Sequence, residues 1–160
     1  MPDACLRRAS TLPEAQRLIL AIGLPGAGKS TWFADHGVQP LSSDGMRVLL
    51  SDDEDNQTIH MEVFEALRYL VVKRLQLGIS ATYVDATNLT RMHRGPFLTL
   101  AAKYGARAEA LWFATPLEVC LRHNAKRERR VPEEVMRAMD AQFEPPSREE
   151  GFAHIERVSV

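Results

Sequence analysis

One segment constrains this chain more than any other: Gly23-Leu24-Pro25-Gly26-Ala27-Gly28-Lys29-Ser30-Thr31. It fits GxxxxGK[ST]. It follows directly on the apolar run Arg17 to Ile22, which reads as a buried parallel strand, and Lys29 to His36 behind it reads as a helix. Strand, glycine-rich turn and helix together are the context a phosphate-binding loop requires. The glycines let the backbone bend so that several N–H groups face phosphate oxygens, and the helix start adds partial positive charge. Gly26, Ala27, Gly28, Lys29, Ser30 and Thr31 are the expected nucleotide contacts. Lys29 is expected to neutralise the β- and γ-phosphates, and the Ser30 hydroxyl to hold Mg²⁺.

The rest of the chain repeats the strand–helix alternation. Gln39 to Ser42 is a weak second strand, and Gly45 to Leu50 a short helix with Asp44 at its N-cap position. Ser51 to Gln57 is an acidic, polar loop. From Thr58 to Leu77, Ile59, Val63, Ala66, Leu67, Leu70, Val71 and Leu75 recur at helical spacing, and Gly78 ends the run. Ala81 to Asp85 is a third strand. Arg91 to Tyr104 is a helix that Gly95-Pro96 is expected to break or restart. Arg107 to Phe113 is a fourth strand. Thr115 and Pro116 open the next helix as N-cap and first helical residue. A basic link, a helix from Pro132 to Phe143 and a strand from His154 to Val160 complete the chain. This predicts an α/β fold of P-loop kinase type, a three-layer sandwich with a central, mostly parallel sheet and a helical lid. Residues 1–16 read as an N-terminal arm, and 17–160 as a single domain with its lid around 123–133. The opening Met1 and the closing strand predict a stand-alone domain.

Composition narrows the compartment and the partners. No apolar run is long enough to cross a membrane, and nothing resembles a secretory signal, so a cytoplasmic protein is expected. Cys5 and Cys120 lie far apart without metal-ligand spacing. The formal net charge of -1 supplies no global basic field, so any nucleic-acid contact must use a local patch.

Phosphoryl transfer to an alcohol needs a carboxylate that orients the hydroxyl and takes its proton. Asp44, at the end of the strand after the phosphate loop, is placed for that task, since ligands of parallel sheets bind at the carboxyl ends of strands. Arg47, one helical turn on, falls on the same face and can hold a phosphate beside the hydroxyl. The competing reading makes Asp44 only a helix cap. Asp85 either holds Mg²⁺ through water or caps the next turn. Arg94 is a candidate for the acceptor groove, against a surface salt bridge. No NKxD base-reading motif is present, and Tyr83-Val84-Asp85 keeps a motor-type ATPase reading open. His123 to Arg130 is the one dense basic stretch, and beside a phosphate loop it reads as a mobile lid. Trp32, Phe33, Trp112 and Phe113 read as packing.

The phosphate loop, Ser42-Ser43-Asp44-x-x-Arg47, Ser51-Asp52-Asp53-Glu54 and Val84-Asp85-Ala86-Thr87-Asn88 together resemble the 5′-kinase domain of bacterial polynucleotide kinase-phosphatase, an RNA-repair enzyme. The resemblance runs from about Leu18 to Phe152. It implies that Asp44 is the general base for a 5′-hydroxyl and that Arg47 contacts the acceptor strand. It places Gln57, Thr87 and Asn88 near the acceptor. It puts Arg130, with Arg127 beside it, in a lid over the ATP phosphates. His123 stands where the family carries an arginine, and Arg129, Arg130 or a neutral His123 donor would then share its role. The function expected is an ATP- and Mg²⁺-dependent polynucleotide 5′-hydroxyl kinase acting on RNA or DNA in repair. The alternatives are a sugar, nucleoside or antibiotic kinase, which the acidic loop Asp52 to Asp55 favours, and an ATP-binding domain of a larger repair protein.

Overall fold

A computed structural model describes residues 14–159. Most of the expected arm, including Cys5, and the final Val160 lie outside the described residues. Five strands form one parallel sheet: β1 (Arg17–Ile22), β2 (Leu41–Ser42), β3 (Ala81–Asp85), β4 (Arg107–Phe113) and β5 (His154–Val158), in the order β2-β3-β1-β4-β5. Every recorded pairing is parallel, so all five carboxyl ends share one edge. The P-loop leaves the central strand at that edge.

Among the described residues, six α-helices cover the two faces: α1 (Lys29–Asp35), α2 (Ser43–Ser51), α3 (His60–Gln76), α4 (Arg91–Lys103), α5 (Leu117–Ala125) and α6 (Glu133–Gln142). The strict two-residue period of β1 divides the core. Leu18, Leu20 and Ile22 pack with Met46 of α2, Val63, Leu67, Val71 and Leu75 of α3, and Phe97 of α4. Ile19 and Ala21 face the other way, onto Phe33 of α1, Cys120 of α5 and Met136 of α6. A strand buried on both faces reads as a continuous apolar run, which explains the sequence of β1. The expected three-layer α/β sandwich is the fold observed.

Some local expectations change. The second strand contracts to two residues. Helix α4 runs unbroken through Pro96. Proline there deprives only the Met92 carbonyl of a donor, on a turn where Met92 is exposed to water. The N-cap of α2 is Ser42, whose hydroxyl accepts from the Gly45 N–H at 3.2 Å, so Asp44 is not the cap. Helix α5 starts behind Pro116, and the Thr115 hydroxyl donates to the Ala27 carbonyl at 2.8 Å instead of capping it. A 3₁₀ turn, Gln57–Ile59, leads into α3.

Arg94 corrects another expectation. It is 0% exposed and pairs with both Glu150 oxygens, at 2.7 and 2.8 Å. It also donates to the carbonyls of Asn88 and Glu144, both at 2.9 Å. With every donor directed inward, it fastens the C-terminal segment to α4 and to the loop after β3, and it cannot reach an acceptor. Arg94→Met leaves a buried carboxylate without its partner and is expected to cost about 3–5 kcal/mol in urea unfolding. A loss below about 1 kcal/mol, the size of a surface pair, would contradict this role.

Candidate active site

The phosphate loop is pinned by its neighbours on both sides. Toward β3, the Gly23 N–H donates to the Thr87 carbonyl at 3.1 Å. Toward α5, His123 Nδ1 lies 2.8 Å from the Gly26 carbonyl and Thr115 reaches Ala27. A carbonyl can only accept, so His123 Nδ1 is the donor in that contact. The contact is close enough to dictate sequence. Gly26 has φ +79°, and a Cβ there would stand 2.6 Å from the Cys120 carbonyl oxygen. Lys29 curls over the loop, with Nζ donating to Gly23 O at 2.7 Å and Leu24 O at 3.0 Å.

Sheet register brings the carboxylates to this loop. Asp85 pairs in register with Ala21 of β1 and with Ser42 of β2, so the ends of all three strands meet. Burial raises the Asp85 carboxyl above the usual carboxylate range, and the charge of Lys29 opposes that rise. Burial likewise lowers the Lys29 ammonium, opposed mainly by Asp85. Asp44 lies in the first turn of α2. Its Oδ1 accepts from Arg47 Nη1 at 3.1 Å, and its Oδ2 lies 3.3 Å from Arg129 Nη1. Arg47 is 6% exposed, and its Nε is buried without a partner.

Other expected contacts fall differently. Asn88 is 2% exposed, with φ +48°, and its amide donates to the Ala21 carbonyl at 2.8 Å. The amide nitrogen ties the loop after β3 to β1, while Asn88 Oδ1 is buried without a hydrogen-bond partner. Thr87 is half-buried beside the P-loop, and Gln57 is exposed at the start of the 3₁₀ turn. Arg127 and Arg130 are exposed, and Arg130 Nε donates to the Arg127 carbonyl at 3.2 Å. Trp32 packs on Phe33, Tyr83 and Phe113, as expected of a core aromatic.

Two residues carry more of the site than the sequence reading assigned them. Asn124, 6% exposed, closes the stem of the basic segment: its amide donates to Val131 O at 2.7 Å and its Oδ1 accepts from Val131 N at 3.0 Å. Arg129 reaches across to the acidic loop, touching Glu54 and Asp55 as well as Asp44. An asparagine placed between a helix and a basic run was the one available signal for the stem. Nothing local marked Arg129 out from Arg127 and Arg130.

A family model described as an AAA domain matches residues 18–146. The chain belongs to that family. It is 25% identical over 136 residues to the L-seryl-tRNA(Sec) kinase of Methanococcus maripaludis, covering 81% of this chain and 53% of the relative. Its fold superposes with TM-score 0.68 and 17% identity on a chain of the Pnkp1/Rnl/Hen1 RNA repair complex, over 83% of this chain and 45% of that one. A gluconokinase from Sinorhizobium meliloti 1021 gives TM-score 0.60 at 16% identity, over 92% and 83% of the two chains. The chain therefore spans about half the length of the first two proteins. The P-loop kinase-like domain is common to all of these likenesses. Among the described residues, no helix is long and apolar enough to cross a membrane.

Gly26→Ala is the sharpest test of the loop. Backbone strain of roughly 1–3 kcal/mol, about 5- to 150-fold in affinity, should appear as weaker binding of ATP by calorimetry. Binding within twofold of wild type would show that the contact with α5 is not rigid.

Proposed function

We propose that this domain transfers the γ-phosphate of ATP, with Mg²⁺, to the 5′-hydroxyl end of a nucleic acid. The observation that carries the reading is the pair Asp44–Arg47 at the carboxyl edge of the sheet, one strand away from β3 and two from the P-loop strand. A carboxylate that takes the hydroxyl proton and a guanidinium that grips an adjoining phosphate are what such an acceptor demands. The unpartnered Arg47 Nε adds a donor with no protein acceptor. Because Ser42 already caps the helix, Asp44 is left available for chemistry.

The residues for Mg²⁺ fit the ion. Ser30 and Asp85 offer hard oxygen donors, and among the described residues no cluster of three His, Cys, Asp or Glu could form an all-protein cage. That suits an ion held by one hydroxyl, a carboxylate through water and the nucleotide phosphates. Bound there, Mg²⁺ would neutralise charge on the transferring group. Lys29 and the loop amides hold the phosphates, while Arg127 and Arg130, on the closed segment behind Asn124, serve the transferring phosphoryl group.

The likenesses to the L-seryl-tRNA(Sec) kinase and to the RNA repair complex support an acceptor hydroxyl carried on RNA. The gluconokinase likeness keeps a small-molecule alcohol as the second reading. The acidic loop favours that rival less than its composition suggests, because Arg129 offsets part of the charge of Glu54 and Asp55.

Asp44→Asn should lower single-turnover transfer to a 5′-OH oligonucleotide by roughly 10²- to 10⁴-fold, the usual contribution of general-base catalysis. Nucleotide affinity should hold within a few fold. Near-normal transfer by this variant would remove Asp44 as the base, and displacement of the oligonucleotide by a simple alcohol acceptor would favour the rival substrate.

A further inference from the structure

Arg129 has a contact set unlike that of any other basic residue near the site. It is 27% exposed at the side chain, and three acidic groups surround it. Nη1 lies 2.9 Å from Glu54 Oε1 and 3.3 Å from Asp44 Oδ2. Nε is bonded to Asp55 Oδ1, and Nη2 donates to the Glu54 carbonyl at 3.1 Å. A guanidinium has five donors in a rigid fork, and here all three of its nitrogens are engaged. Asp55 and Glu54 are 74 and 75 residues away, on the loop between α2 and the 3₁₀ turn, and Asp44 lies in α2 itself.

The mounting of Arg129 matters as much as its contacts. It sits on the loop closed by Asn124 and Val131, directly behind α5. That helix is itself fixed to the phosphate loop through His123 and Gly26. A short, stapled segment thus runs from the nucleotide side to the acceptor side and ends on the candidate base. Asp44 is gripped there from two directions, Oδ1 by Arg47 and Oδ2 by Arg129. Such a grip fixes the carboxylate plane, and each oxygen keeps a second lone-pair direction for a hydroxyl.

We propose that Arg129 is a positioning residue that latches the phosphate lid to the acceptor side: seated on Glu54 and Asp55, it closes the basic segment and sets the Asp44 carboxylate. The inference rests on the kinase reading above for its consequence, though not for the latch itself. Two charge contacts to the loop explain why Ser51 to Asp55 is so acidic in a domain proposed to bind a polyanion. The acidity is a seat for the lid, and Arg129 neutralises part of it.

The test uses the full chain, with hydrogen exchange read over residues 126–131 in the presence of the ATP analogue AMPPNP. Arg129→Gln and the double variant Glu54→Gln/Asp55→Asn should each speed exchange there by about 5-fold, the effect of losing part-exposed ion pairs. Exchange in β1 and β4 should not move, which checks that the fold is intact. Unchanged exchange over the segment in both variants would overturn the latch. Steady-state kinetics with a 5′-OH RNA then read the positioning role. Arg129→Gln should raise the acceptor KM and lower kcat, leave the KM for ATP within about twofold, and be partly rescued by Arg129→Lys. Equal shifts in both KM values would reduce Arg129 to a structural part and overturn the coupling. If the wild type does not phosphorylate RNA, the acceptor assignment fails while the exchange data still decide the latch.

Discussion

The turn from β1 into α1 is held in place by backbone groups, and the site depends on that. Gly23 bonds to the loop after β3, while Gly26 is close-packed against the Cys120 carbonyl and contacted by His123. Side-chain variation cannot easily relax contacts of this kind, because a carbonyl oxygen and a peptide N–H belong to every residue. The loop is therefore preorganised from the loop after β3 and from α5 before any nucleotide arrives, so little ordering entropy remains to oppose binding. Burying Lys29 and Asp85 together at its mouth opposes their ionisation, as the directions of both shifts record. Nucleotide phosphates would favour the charged form of Lys29, and a cation carried by them would favour the charged form of Asp85.

Charge is organised around the same edge. The chain has a formal net charge of -1, yet a local run of basic groups, Lys126 to Arg130, faces a local run of acid groups, Asp52 to Asp55. Arg129 joins the two, and Asp44 lies between Arg129 and the buried Arg47. The result is a set of alternating charges with Asp44, the proposed base, at its centre. A nucleic acid would meet local guanidinium groups rather than a broad positive field, so its affinity should depend only modestly on salt.

The sequence made the architecture legible because the relevant signals are local. An apolar strand, a glycine-rich turn and a helix at the right spacing identify the phosphate loop, and the helical period of residues 58–77 identifies α3. The element order and the parallel sheet follow from those signals. What stayed hidden required three dimensions. Arg94 looks like any helix-surface arginine until Glu150, 56 residues on, closes over it. Asn88 looks like a polar loop residue until its left-handed backbone turns the amide toward β1. Asp44 and Ser42 are equally good caps by composition, and only the geometry assigns the cap to Ser42. Arg129 is one of four arginines between residues 122 and 130, and its partners lie in a loop that seemed to argue against nucleic acid.

The account turns on what receives the phosphate. The most direct measurement follows label from γ-³²P ATP onto a short 5′-OH RNA and the matching DNA, with Mg²⁺ and with EDTA, with a sugar-acid acceptor in parallel. A polynucleotide 5′-hydroxyl kinase gives metal-dependent label at the 5′ end of the oligonucleotide and none on the sugar acid. Label on the small acceptor alone, with ATP bound normally, would contradict that function.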